Sequence, residues 1–482
     1  MASIKYTCMQ NNTDVFSKGL GFLSWRWSCE GGYREFLTMA VPLILATGMW
    51  SVQHFVDRMF LTWYSPEAVA ASMPAGMLNF TFICIFLGTV SYVDTFVAQY
   101  YGAGRNEMIG PAVWQGIYIS AIGGLVLLGI APLSRQIFGL IGHDPAILEN
   151  EVVYFKILCI GSFPVLASAA LAGFYAGRGK TWTIMWVNIA ATAVNVVLDY
   201  LLIFGRGAFP EWGIKGAAVA TVLSGCFTLL LYLLLISVKA YNKEYCTLKW
   251  QVNRPLLVRM IRFGLPNGVH FFLDIAGFTA FVLIMGVLGT TSLAATNIAF
   301  NINTVAFMPM LGCGIAVSVL VGQYLGEDRP EIAERSAYSG FHITFFYMTV
   351  LSLLYVFVPG IFILPFAANA DPESFEAIRN LVVILLRFVA VYSLFDTMNI
   401  IFASAVKGAG DTHYVMWINV IVSLFVLIVP SYTAIVLLHK GIFAGWLAAS
   451  AYIVVLGLAF LARFLRGKWK SMRVIEPSAS LL

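Results

Sequence analysis

Apolar residues along this chain come in runs of about twenty, each closed by a short polar or glycine-bearing turn, which is the length a helix needs to cross a bilayer. The rhythm predicts twelve spans, near residues 36–62, 73–99, 111–131, 152–174, 184–204, 216–238, 264–288, 298–324, 338–365, 381–405, 414–438 and 442–464. Five aspartates interrupt the pattern inside these runs: Asp57, Asp94, Asp199, Asp274 and Asp396. A carboxylate at the centre of a membrane helix costs roughly 2.5–3.5 kcal/mol on insertion scales, so such residues line a polar cavity, an ion site or a proton path. That placement points to transport.

Composition agrees with the pattern. The chain is 60% hydrophobic and only 11% charged, against about 25% charged residues in a soluble globular protein. The expected class is an all-α polytopic membrane protein. With the N-terminus in the cytoplasm, most of the 29 Lys and Arg residues fall in cytoplasmic segments, leaving Arg58, Lys156 and Arg387 within or beside spans. One basic cluster (Lys239, Lys243, Lys249, Arg254, Arg259, Arg262) lies between spans six and seven, and a second (Arg463, Arg466, Lys468, Lys470, Arg473) follows span twelve. Both are read as topology signals with attraction to anionic membrane lipid, and no nucleic-acid partner is expected. Residues 1–33 hold Asp14, Glu30 and no long apolar run, so they are expected to be a cytoplasmic lead-in and not a signal peptide. The seven cysteines are scattered without paired metal spacing, which indicates neither a disulfide framework nor a zinc site.

The chain repeats itself. Val97-Ala98-Gln99-Tyr100-Tyr101-Gly102 with Arg105 returns as Val321-Gly322-Gln323-Tyr324-Leu325-Gly326 with Arg329, displaced by 224 positions. The same shift carries Pro42 onto Pro266, Ala70-Ala71 onto Ala294-Ala295 and Asn79 onto Asn303. Further on, Gly177, Gly179, Thr181, Met185, Trp186 and Asn188 match Gly408, Gly410, Thr412, Met416, Trp417 and Asn419, displaced by 231. Six spans per half is an even number, so both halves share one orientation and are expected to be related by an axis along the membrane normal, with a central cavity between them. The expected division is a lead-in (1–33), an N lobe (34–238), a cytoplasmic linker (239–263), a C lobe (264–466) and a cytoplasmic tail (467–482). The repeat also tests the acids. Asp57 corresponds to Phe281, Asp199 to Pro430, Asp274 to Trp50 and Asp396 to Val165. The fold is built at those positions without acids, so the acids serve another purpose.

The fifth span carries the clearest constellation. Asn188, Thr192, Asn195 and Asp199 recur at steps of four, three and four, one continuous polar stripe on a helix. A helix-to-helix hydrogen-bond seam would use the same small polar residues but would not need the ionisable end. Asp57 in the first span lies at like depth, so Asp57, Asn195 and Asp199 could hold one proton or one sodium between them. Arg58 is adjacent, either as a partner or as an ordinary snorkelling arginine. Asp274 and Asp396, nearer mid-membrane in spans seven and ten, could form a second cation site or bind a cationic substrate. His54 and His270 stand one turn before Asp57 and Asp274, spaced to hydrogen-bond on one face and suited to relaying protons. Asp94 lies near the inner end of its span, where solvation is expected. No phosphate loop, HExxH or GxSxG element appears, so no enzyme chemistry is expected and no cofactor beyond a coupling H+ or Na+.

At these residues the chain resembles the multidrug and toxic compound extrusion (MATE) family, in its bacterial NorM-type branch. The resemblance covers about residues 34–466. It rests on Phe55-Val56-Asp57, the Val97 to Arg105 segment, Asn195 with Asp199, Pro266 with Asp274, Gly322 to Glu327, Tyr392 with Asp396, and Lys407-Gly408. It implies two six-helix lobes in a V shape and secondary export of amphipathic, often cationic drugs in exchange for protons or sodium. It further implies an N-lobe cation site at Asp57, Asn195 and Asp199 and a C-lobe site at Asp274 and Asp396. This sequence departs from the branch's common pattern at Asp274, often Glu there, and at Arg58 and Asp94. A multidrug antiporter in a bacterial inner membrane, working as a monomer on drug-like molecules with both termini cytoplasmic, is the leading expectation. A flippase for lipid-linked oligosaccharides would be expected to line its cavity with arginines, and a receptor or channel without coupled flux would not need twin acid-bearing repeats.

Overall fold

The computed structural model describes residues 24–139, 144–207, 209–367 and 372–476 of the 482. Most of the expected lead-in and the last six residues of the expected tail lie outside the described residues. Among those described there is no strand, and twelve membrane-length helical units follow one another: α1 (Tyr33–Tyr64), α2 (Pro66–Gly102), α3 (Asn106–Gly139), α4 (Ile147–Ile160 with Ser162–Ala176), α5 (Thr181–Phe204), α6 (Gly213–Ile236), α7 (Arg254–Gly286), α8 (Thr290–Gly326), α9 (Pro330–Phe357), α10 (Phe375–Ala409), α11 (Thr412–Leu437) and α12 (Ile442–Leu465). α4 bends by 41° between its two parts. Leu125, Leu283, Phe357 and Leu447 stand more than 60% exposed on the outside of the bundle, an apolar coat suited to hydrocarbon.

The turns follow local chemistry. Ser65 caps α2, its Oγ accepting from Ala68 N (3.1 Å), and Pro66 occupies the first turn where no N–H is missed. α5 stops at Gly205, whose φ of 63° is left-handed. α7 begins at Arg254, ten residues before the apolar run predicts, because the Asn253 side chain caps it by accepting from Leu256 N (3.2 Å). The last part of the expected linker is therefore helix. The remainder forms a short helix (Lys239–Tyr245) and an extended segment tied to α3, with Trp114 Nε1 donating to Thr247 O (2.8 Å) and Gln115 Nε2 to Gln251 O (3.3 Å).

The two halves pack alike. In the N lobe α1 lies on α5, α2 on α4, α3 on α4 and α4 on α6; in the C lobe α7 lies on α11, α8 on α10, α9 on α10 and α10 on α12. Between lobes α1 meets α8 and α2 meets α7, the same pair under the repeat. The close approach is made by small residues at equivalent places. A Cβ on Gly88 would lie 2.7 Å from Gly268 Cα, and one on Gly312, which is Gly88 shifted by 224, would lie 2.8 Å from Ile44 N. The glutamine shared by both repeats reaches across: Gln99 Nε2 donates to Gly408 O (2.9 Å) and Gln323 Nε2 to Gly177 O (2.7 Å). Asn267 Nδ2 to Gly88 O (2.7 Å) and Tyr92 Oη to Lys407 O (2.6 Å) extend the seam. These ties occupy the half of the molecule that carries both described ends of the chain.

Candidate functional site

In the N lobe, α1 and α5 pack side by side and bring Asp57, Asn195 and Asp199 together. All three are buried, Asn195 and Asp199 completely. With its nitrogen toward the acids, the Asn195 amide donates to Asp199 Oδ2 (3.1 Å) and Asp57 Oδ1 (3.2 Å); the opposite setting would aim its oxygen at two carboxyl groups. The two carboxyls thus converge on one amide nitrogen. Asp199 Oδ1 is buried without a protein partner. The surroundings are apolar: Phe60, Leu61, Phe155 and Ile203 belong to one buried cluster, and Tyr154 of α4 is buried close to both acids. Periodicity could not reveal Tyr154, because it comes from a different helix.

The rest of the predicted stripe is distributed differently. Asn188 donates to Ala46 O (3.4 Å) and so serves the α1–α5 contact, while Thr192 is buried on the same face. His54 is exposed beside the Trp50 ring, 6.3 Å between centroids, and Arg58 is exposed.

The C lobe builds another network. Asn419 Nδ2 of α11 donates to Asp274 Oδ1 of α7 (2.6 Å), and His270 Nδ1 stands 3.5 Å from Asp274 Oδ2. Asn419 Oδ1 accepts from Ser423 Oγ (2.9 Å) and from Tyr452 Oη of α12 (3.0 Å), so both ends of the amide are used. Asp396 of α10 is buried and accepts from Asn399 Nδ2 one turn along its own helix (3.0 Å). Asp274 and Asp396 are close enough to feel each other's charge, yet their hydrogen bonds run to different partners. Lys407 of α10 stands within electrostatic reach of both Asp274 and Asp94. Asp94, expected to be solvated, is half-buried, with Oδ1 accepting from Thr95 Oγ1 (3.0 Å). In the sequence Lys407 enters only through the Lys407-Gly408 motif, although a lysine within a membrane helix is itself a signal of function.

Two parallel six-helix lobes, each holding buried acids and joined by a repeat-related seam, define a polytopic membrane transporter. The MatE family model matches residues 42–201 and 266–433, one segment in each lobe, and the chain belongs to this family, the MATE transporters. It is a transporter family and not one of enzymes. Curated relatives carry NorM names: a probable multidrug resistance protein NorM of Thermotoga maritima is 25% identical over 447 residues, covering 92% of this chain and 94% of that one. Another in a Synechocystis species is 28% identical over 409 residues, covering 83% and 87%, and the multidrug resistance protein PmpM of Pseudomonas aeruginosa is 27% identical over 390 residues, covering 80% of each. Among solved structures, an outward-facing MATE transporter of the MOP superfamily superposes with a TM-score of 0.83 at 18% identity, covering 93% of this chain and 98% of that one. A MOP superfamily transporter from Pyrococcus furiosus follows with a TM-score of 0.82 at 19% identity over 93% and 98%.

Proposed function

We propose that this protein is a secondary active multidrug exporter of a bacterial inner membrane, exchanging amphipathic, often cationic compounds for protons or sodium by alternating access. The observation that carries this reading is the Asp57–Asn195–Asp199 cluster, two buried carboxyl groups converging on one amide inside an apolar lobe. Two such groups cannot both stand ionised and bare at that spacing; one positive charge, a proton or a cation, settles them. Loading that charge changes the free energy of the lobe arrangement it stabilises, which is how an ion gradient drives a conformational cycle. The donor set suits either cargo. A proton leaves Asn195 donating as it does here, whereas sodium would be held by oxygens of Asp57, Asp199 and Asn195, with the otherwise unpartnered Asp199 Oδ1 among them.

Asp274, His270 and Asp396 are read as the C-lobe counterpart, substrate-binding or second-ion residues, because Asp274 remains a third exposed on α7, the helix that meets α2 of the N lobe. The relatives' names support a multidrug range, and the predominance of acids over basic groups in the spans supports cationic cargo over an anionic pyrophosphate headgroup. The positive-inside count supports cytoplasmic termini, which makes the tied half the cytoplasmic one. The repeat supplies both lobes in one chain, which supports action as a monomer.

The test is uptake of a cationic dye into proteoliposomes under an imposed pH or sodium gradient. Flux driven by either gradient supports the reading, and the driving ion identifies the coupling. Absence of flux under both, in protein shown to be folded, counts against export.

A further inference from the structure

The repeat places an acid and a base at the same position on the face that carries the termini. Glu35 at the start of α1 shifts by 224 onto Arg259 at the start of α7, just as Tyr100 shifts onto Tyr324 and Arg105 onto Arg329. On one side the lobes close directly: Tyr324 Oη donates to Glu35 Oε1 (2.7 Å), and Arg329 pairs with Glu30, which precedes α1. On the other side the equivalent contact would set Arg259 against Tyr100 and Arg105, with no acid between them. The segment after α12 supplies one. Glu476 pairs with Arg259 of the C lobe, accepts from Tyr100 Oη (2.9 Å), and meets Arg105 both at its carboxylate (3.3 Å to Nη2) and at its carbonyl (3.0 Å from Nη1).

The segment is guided there. Trp469 is fully buried and stacks on Phe464 at 4.9 Å, Lys470 Nζ pairs with Glu334 (2.8 Å) and Arg473 Nη2 with Asp328 (2.8 Å), all on the C lobe. It then crosses the seam, where Val474 N donates to Gln99 Oε1 (2.8 Å), the glutamine whose amide already spans the lobes. Burial opposes ionisation of Glu476, yet its own backbone amide, the Tyr100 hydroxyl and the Arg259 guanidinium outweigh it and hold the carboxyl below its usual range. The side chains of Arg105, Arg259 and Glu476 are only 27–31% exposed, so these pairs are worth more than the surface pairs that water screens.

We propose that Glu476 is the detachable bolt of the seam: anchored through the C lobe, it supplies the acid that α7 lacks, locks Arg259 to Tyr100 and Arg105, and releases when the lobes adopt the opposite arrangement. The inference rests on the alternating-access reading above. One seam contact is thus built into α1, and its repeat partner depends on a segment that can leave.

The test uses the full chain in nanodiscs, with native cysteines replaced and spin labels on exposed positions of the two lobes, Lys239→Cys and Arg466→Cys. Glu476→Gln is expected to raise the population with separated labels about tenfold, a usual size for a coupling between two states. Arg259→Gln is expected to do the same, and the double variant to do no more than either single one, the signature of a shared bond. An unchanged distance distribution in both single variants, with thermal unfolding showing them folded, overturns the bolt; so does full additivity. Dye flux by the parent reports separately on the transport reading. A parent that transports while Glu476→Gln leaves the distances unchanged sinks the bolt alone, and a parent without flux sinks export while a population shift still supports the bolt.

Discussion

The two lobes solve one packing problem and then part company at equivalent residues. Asn188 and Asn419 are repeat partners and share one contact, Asn188 donating to the Ala46 carbonyl and Asn419 to the equivalent His270 carbonyl (3.4 Å each), yet Asn419 alone also holds the Asp274 carboxylate. The divergence continues three turns on. Where α5 presents Asp199 to Asp57, α11 has Pro430, and the helix around it unwinds into π turns at Ser423–Ile428 and Thr433–Leu437. A proline lacks the N–H that an α turn needs, so the ladder rearranges around it. The N lobe thus keeps an uninterrupted α-helix with an acid pair, while the C lobe has π turns in place of that acid and carries its own acid on α7. The lesson is that a duplicated scaffold leaves each half room for a different charge: a closed carboxyl pair in one, a mixed His–Asp–Asn–Tyr network in the other.

The largest expected effect sharpens this contrast directly. Asp199→Asn should remove the chargeable pair and lower gradient-driven dye flux by roughly 100-fold, with unchanged expression and thermal unfolding; flux above half the parent rate would move the coupling ion to the C lobe. Next, Gly88→Ala and Gly312→Ala, at matching seam positions, should each cost about 1–3 kcal/mol of the tied arrangement through overpacking, read as more separated labels in the same nanodisc measurement. If only one of the two responds, the seam is not symmetric in energy.

Asn419→Ala should leave Asp274 and Tyr452 short of a partner and lower stability by about 1–3 kcal/mol, whereas Asn188→Ala should cost about 1 kcal/mol or less, its bond being long and to a neutral carbonyl. Equal melting shifts for the two would show that the repeat partners do the same job after all. The smallest effects come from Gln99→Ala and Gln323→Ala, expected at about 1 kcal/mol each on the tied arrangement, with Gln99→Ala the larger because that side chain also holds Val474 N.

Much of this was legible beforehand, for identifiable reasons. Helix number follows from the apolar runs because lipid allows little else, and the twofold relation follows from matching Gln99 with Gln323 and Asn188 with Asn419. Asn195 and Asp199 could be paired from periodicity alone, being one turn apart. The partner choices could not. Nothing in spacing says that Asn188 turns away from the acids, that Tyr154 stands beside them, that Tyr452 completes the Asn419 network, or that Lys407 falls between Asp94 and Asp274. Each depends on how far one helix is rotated and offset against another, which periodicity along a single helix does not encode.

By itself, then, the sequence determined the solvent this protein lives in, the number and repeat of its helices, and which acids stand where the fold has no need of them, because hydrophobicity and internal duplication are written locally and repeated. Only the tertiary structure decided which of those acids touch, which amide serves which carboxyl, and that Glu476 reaches across to Arg105 and Arg259. Those contacts depend on how helices pack against one another, α1 on α5 and α7 on α11 within the lobes and, for Glu476, across the seam between them.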